Sequence, residues 1–188
     1  MNRILSVLIA VLFVGFTANA QLTLNGVTLP AKLSFNSQTL VLNGGGIRTK
    51  FMFKLYTIGL YLPQKSTDGD AVLKADKTMA VHFEITSSMI NSDNMSEAIN
   101  EGFDLSTNGN TTKVRTRIDA LLKAFSSEEL NIGDKFDILY NPGVGVQTYK
   151  NGKLKSTLAG LDFKEALFGI WISENSVSSK LKKEMLGQ

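Results

Sequence analysis

One arrangement in this chain stands out as able to hold a ligand: an arginine just after a glycine run, and a tyrosine eight residues on. Gly44-Gly45-Gly46 lead into Arg48, and Tyr56 lies inside the run Phe51 to Leu62, which is apolar and rich in aromatic and branched residues, interrupted only at Lys54, Thr57 and Gly59. The glycines are expected to release the backbone from the usual φ restriction. The run reads as a strand that is apolar on both faces and therefore covered on both. Arg48 and Tyr56 are thus expected at or near the most buried part of a sheet, where an unpaired guanidinium is expensive. An arginine offers a forked, permanently charged donor set that matches a carboxylate, and a tyrosine hydroxyl adds one donor. An apolar cavity ending in these two groups would suit a fatty-acid-like ligand, tail inward and head on the fork. The alternative is that Arg48 caps carbonyls at a strand end or pairs with a surface acid.

Other chemistry is sparse. There is no Gly-x-Ser-x-Gly elbow, no phosphate-binding loop with its lysine and no His-Glu-x-x-His. The single histidine, His82, rules out a multi-histidine metal site, and the absence of cysteine excludes disulfides, thiolate ligands and a cysteine nucleophile. Gly143-x-Gly145 does not open a helix, so it is no dinucleotide loop. The acidic pairs Asp68/Asp70 and Glu128/Glu129 fall in loops or helix starts and read as solvated. No cofactor or metal is expected. A net charge of +3 is too small and too scattered to imply nucleic acid.

The elements that must position these residues follow from periodicity. Gln21 to Leu33 reads as a β-hairpin turning at Asn25-Gly26, and Thr39 to Leu42 as a strand running into the glycines. Gln64 to Lys77 reads as a surface loop. Thr78 to Ile85 alternates, with Met79, Val81, Phe83 and Ile85 on a buried face and His82 on a more polar one. The period then changes to that of a helix. Asn94 and Glu97 have capping-box spacing, and Met95, Ala98, Ile99, Gly102 and Phe103 form one stripe. A second helix carries Val114, Ile118, Leu121, Leu122 and Phe125. Asp134 to Leu158 reads as a three-stranded meander with turns at Asn141-Pro142-Gly143 and Asn151-Gly152. The chain closes with a helix on Phe163, Ala166, Leu167, Ile170 and Trp171, cap-spaced by Asp162 and Glu165, and a short one on Val177, Leu181 and Met185. The fold class is therefore α+β: an antiparallel sheet with helices packed on one face. Phe51, Phe53, Phe83, Phe103 and Trp171 are candidate pocket walls, or plain core.

Residues 1–20 read as a cleavable leader: Arg3, an apolar run from Ile4 to Phe16, and Ala18-Asn19-Ala20 as the cleavage site. The apolar run is too short for a comfortable membrane span. One domain, 21–188, is expected after cleavage, in the periplasm or secreted, with no stable membrane anchor.

The glycine–arginine segment and Lys54-Leu55-Tyr56-Thr57-Ile58-Gly59-Leu60-Tyr61-Leu62, together with Phe168-Gly169-Ile170-Trp171-Ile172 and Leu181-Lys182-Lys183-Glu184-Met185-Leu186-Gly187, resemble the core and C-terminal blocks of the chalcone isomerase-like family. The resemblance implies a large antiparallel sheet under a layer of helices with a ligand between them. It implies for Arg48 the role of the arginine that activates the chalcone carbonyl in isomerases and binds the carboxylate in fatty-acid binders. Tyr56 stands where the isomerases have a threonine, as in the fatty-acid binders. Ile170 falls on another isomerase threonine. Of a helical Tyr/Asn pair only Asn100 has its counterpart, with Asp93 at the other position. Ligand contacts at Arg48, Tyr56, Asn100 and Ile170 follow by resemblance. Hydroxyls that orient substrate and water are missing, which argues for a binder of a small amphipathic carboxylate rather than an isomerase. Two alternatives remain: an isomerase or lyase with Arg48 as electrophilic catalyst, aided by Tyr56 and Asn100, and an envelope interaction module with no small ligand.

Overall fold

The computed structural model describes residues 21–35, 38–126 and 128–188; the expected leader, residues 1–20, lies outside them. The elements are, in order, β1 (Leu22–Leu24), β2 (Val27–Leu29), β3 (Lys32–Phe35), β4 (Gln38–Lys50), β5 (Phe53–Leu62), α1 (Gly69–Lys74), β6 (Met79–Ile85), α2 (Ser92–Ser106), α3 (Arg115–Ser126), β7 (Lys135–Asn141), β8 (Gly145–Lys150), β9 (Lys153–Leu158), α4 (Leu161–Ile172) and α5 (Ser179–Met185). Strands β3 to β9 form one sheet in chain order, every neighbouring pair antiparallel. Short connections between sequence neighbours produce this meander, the two longer excursions carry α1 and α2–α3, and α4 and α5 follow the last strand.

The sheet has two buried faces. On one, Ile58, Leu60, Val81, Phe83, Phe136 and Ile138 meet the apolar stripes of α2, α3 and α4 in the main core. On the other, the β1–β2 hairpin lies across the sheet, and Val27 and Leu29 pack on Leu42, Tyr61, Ala80 and Leu139. The Tyr61 hydroxyl donates to the Pro30 carbonyl at 3.0 Å, pinning the hairpin down. This cover explains why β5 is apolar on both faces. It also corrects the expectation of a one-faced β6: Ala80 and His82 are buried too, and His82 bonds Asp137 at 2.8 Å through Nδ1.

Three local expectations change. The stretch 64–77 is not all loop. Asp68 caps α1 by accepting from the Ala71 amide at 3.0 Å, and Val72 and Leu73 are buried. Lys164 of α4, fully buried, donates to the carbonyls of Val72, Leu73 and Ala75 at 2.9, 2.6 and 2.9 Å, closing the C-terminal end of that helix. A tertiary partner 89 or more residues away thus stabilises a six-residue helix that its polar surroundings do not announce. Helix α2 is capped by Asn91, which accepts from the Asn94 amide, and so begins before the Asn94–Glu97 spacing. Helix α4 begins at Leu161 after Gly160, a glycine with no side chain to cap it, and Asp162 inside the first turn pairs with Arg117.

The run read as a strand from Phe51 begins instead with a tight turn. Phe51 and Met52 sit at φ 49° and 68°, joining β4 to β5. The same left-handed pair recurs at Asn25-Gly26 (50°, 80°) and Asn151-Gly152 (50°, 77°). Asn and Gly adopt this conformation readily, whereas a bulky side chain there costs about 1–2 kcal/mol per residue. The glycines 44–46 are used differently from expectation: none has positive φ. They are close-approach sites. A side chain on Gly44 would strike the carbonyls of Glu184 and Met185 in α5, one on Gly46 would strike Leu181 and Glu184, and one on Gly45 would meet Leu29 of the hairpin at 2.5 Å. No helix among the described residues is long and apolar enough to cross a membrane.

Candidate functional site

Antiparallel register puts Arg48 directly opposite Tyr56. Opposed residues project to the same face, and Tyr56 shares its face with Ile58 and Leu60, the helix side. The sequence-predicted pair is therefore brought together under the helical layer, with Arg48 half-buried. Arg48 donates through Nη1 to the Thr49 carbonyl at 2.9 Å, which fixes one arm of the fork. Burial pushes the Tyr56 hydroxyl above the usual phenol pKa, while the bond from Trp171 and the adjacent Arg48 charge pull the other way. That hydroxyl accepts from Trp171 Nε1 at 3.0 Å. The guanidinium, the phenol and the indole N–H thus form one cluster of donors at the boundary between β5 and α4.

An apolar chamber of about 50 Å³ opens beside this cluster. Its floor is Tyr56 and Phe83, whose rings lie 5.2 Å apart, and Phe83 stacks in turn on Phe136 at 4.8 Å. Helix α2 supplies Met95 and Ile99, α3 supplies Leu121 and Phe125, and α4 supplies Ile170 and Trp171. Ile170 reaches this wall because α4 crosses α2 at Gly102, where a side chain would collide with the Ile170 methyl at 2.8 Å. A second cleft of about 240 Å³ lies outside, with Lys50, Phe51, Leu55, Met89, Asn94 and Glu97 around it. Tyr56, Met95 and Ala98 line both spaces and so form the partition between them. Met95 is the flexible member of that partition.

Asn100 is placed elsewhere. Its Nδ2 donates to the Ser96 carbonyl at 3.0 Å and its Oδ1 accepts from Arg115 Nη1 at 2.9 Å, and it lines neither space. Of the candidate wall aromatics, Phe83 and Trp171 line the chamber and Phe51 the outer cleft, while Phe103 stacks on Phe163 in the core and Phe53 is exposed. The role of the Trp171 N–H was not visible beforehand: its position on the apolar stripe marked it as wall but gave no hint of a polar partner. Met95, Ala98 and Ile99 were readable as one helical face, though nothing in their spacing distinguishes a chamber wall from core. Among the described residues no group of three His, Cys, Asp or Glu side chains could hold a metal ion.

Comparison with known proteins agrees with this architecture. A family model described as chalcone isomerase-like matches residues 20–187. The fold is similar to the crystal structure of an Arabidopsis thaliana fatty-acid binding protein, with a TM-score of 0.69 at 14% identity, over 89% of this chain and 96% of that one. Identity at this level speaks to the fold alone. No curated protein matches. With a seven-stranded antiparallel sheet beneath its helices and a family match over nearly all of its described length, the chain belongs to the chalcone isomerase-like family.

Proposed function

We propose that this protein is an exported, non-catalytic carrier of a small amphipathic carboxylate such as a fatty acid, with the head group on Arg48 and Tyr56 and the tail in the apolar space between sheet and helices. The observation that supports this reading is Tyr56 in the wall of a chamber otherwise lined by hydrocarbon, with the Trp171 N–H bonded to its hydroxyl and Arg48 opposite it in the sheet, although Arg48 itself lines neither space. The fatty-acid binding described for the similar Arabidopsis protein supports it. The leader-like residues 1–20 support export to the periplasm or beyond.

The chamber alone is too small for an acyl chain. A volume of about 50 Å³ holds one or two waters, and drug-sized ligands occupy roughly 300–1,000 Å³. An acyl chain must therefore also occupy the outer cleft, with the Met95 side chain moving aside to join the two spaces. The partition needs only a rotamer change at Met95, whereas the aromatic floor is stacked and fixed.

The test uses a property of the chain itself. Trp171 is its only tryptophan and lines the chamber, so its emission reports occupancy. Titrating the leader-free protein with fatty acids of increasing length should shift that emission saturably. Arg48→Gln should weaken binding about ten- to a hundredfold, the value of a charge-assisted hydrogen bond. Unchanged emission at every chain length, or equal affinity in the variant, would refute the reading. Incubation with chalcone tests the isomerase alternative: turnover lost in the same variant would favour an enzyme.

A further inference from the structure

Among the described residues, the strained turn at Phe51-Met52 carries the largest run of exposed apolar side chains. Phe51 is 80% exposed, Met52 94% and Phe53 53%, and Met89, across the outer cleft, is 41% exposed. The remaining large exposed apolar residues, such as Ile132 and Leu154, stand singly in sequence. The two sister turns, Asn25-Gly26 and Asn151-Gly152, take the same backbone shape with the residues that favour it. Here the chain keeps an unfavourable pair and spends it on the surface, where packing returns almost nothing. The segment Arg48-Thr49-Lys50-Phe51-Met52-Phe53-Lys54 contains three cations and no acid. Lys50 is engaged by Glu101 of α2 at 2.6 Å, and Glu97 stands on the cleft rim. Lys54 has no ion pair among the described residues.

We infer that this hairpin tip docks the protein onto an anionic lipid bilayer, with Phe51, Met52 and Phe53 entering the interface and Lys54 meeting the head groups. Three apolar side chains on a narrow turn are too few for a stable protein interface, which recruits roughly 20–30 residues a side. They suit the shallow insertion by which amphipathic elements hold to a membrane surface, reinforced by basic residues near anionic lipids. The placement adds a second argument. Lys50 and Phe51 also line the outer cleft, so a docked tip brings that cleft to the lipid surface. The strain then has a reason: a turn made of Asn-Gly would have no apolar side chain to insert.

Co-sedimentation with mixed phosphatidylglycerol–phosphatidylcholine vesicles tests the inference, and it contains no free fatty acid, so its result stands whatever the chamber holds. The wild-type protein should bind these vesicles and bind pure phosphatidylcholine more weakly. Phe51→Asn combined with Met52→Gly copies the protein's own turns and should lower vesicle binding at least about tenfold, with the circular dichroism spectrum unchanged. Met52→Asn, at the most exposed position, serves as a second variant that disturbs little of the fold and should weaken binding in the same direction. Wild-type protein that stays in the supernatant with anionic vesicles, or a folded double variant that binds as well as wild type, overturns the inference. So does a lipid-free dimer that the double variant dissolves while vesicle binding is absent, which would make the tip a contact between copies.

Discussion

Replacing Gly44 by alanine is expected to loosen α5 and lower stability by about 1–5 kcal/mol. The added methyl would meet the carbonyl of Glu184, the Met185 oxygen at 2.9 Å and the Met185 carbonyl carbon at 3.1 Å, all of them backbone atoms. These atoms cannot yield cheaply. The Met185 carbonyl accepts from Asn43 Nδ2 at 2.8 Å, and Asn43 is itself held to Ser66 by two further bonds of 2.9 and 2.8 Å. Overpacking of this kind costs roughly 1–3 kcal/mol, and rupture of the buried Asn43 bond adds about 1–3 kcal/mol. Against this, an alanine in a strand gains about 0.5–1 kcal/mol over glycine. In a domain of this size each kcal/mol moves Tm by about 2–4 °C, so a fall of roughly 2–20 °C is expected. Thermal unfolding followed by circular dichroism reads it directly.

Gly46→Ala is the control. Its methyl would meet the Glu184 carboxylate, the end of a side chain that can turn away, and the Cδ1 of buried Leu181 at 2.7 Å, a side-chain end and not backbone. It should lower Tm by no more than about half as much, by the same packing argument. A Gly44→Ala protein that melts with wild type, or a Gly46→Ala protein that melts lower, would refute the claim that the glycine run exists to admit the backbone of α5. The consequence reaches the site, because β4 carries Arg48 four residues further along the same face.

Two further outcomes follow. Burial lowers the pKa of Lys164 to about 8, below the unfolded value of about 10.4. Between those values the unfolded chain binds the extra proton, so stability should rise with pH through that window, by on the order of 2–3 kcal/mol. Lys164→Met should be less stable at every pH and lack the rise; denaturant titrations that give parallel pH profiles for both proteins would contradict this. Met95→Ala should remove the partition between chamber and cleft. Stability should drop by about 2–4 kcal/mol, while long-chain ligands should associate faster, read from Trp171 emission in stopped flow; slower association would show that Met95 is not the barrier.

Much of the layer structure was readable because hydrophobic period and turn dipeptides report it locally. Alternation marked β6 and β7, the helical stripe marked α2 and α3, and Asn25-Gly26 and Asn151-Gly152 marked two turns. What escaped depends on partners distant in sequence. Helix α1 is short, lies in a polar stretch and owes its closed end to Lys164. The second buried face of β6 exists because the β1–β2 hairpin folds across the sheet. Asn100 could be placed on a helix, but whether it faced the chamber or Arg115 depended on where α3 lies. At Phe51-Met52 the local signal pointed the wrong way, since aromatic and long apolar residues favour strands and the backbone there is a left-handed turn.

That failure is itself informative. Local rules and structure agree at two of three equivalent turns, and the disagreement falls at the one that borders the cleft next to Arg48 and Tyr56. Departures from local preference persist where something other than folding selects them. The chamber leads to the same place. Met95 and Ala98 separate it from the cleft bordered by Phe51. Tyr56, the partition and the strained tip thus lie along one line from sheet to surface, and a ligand that reaches the chamber across that partition passes close to the tip.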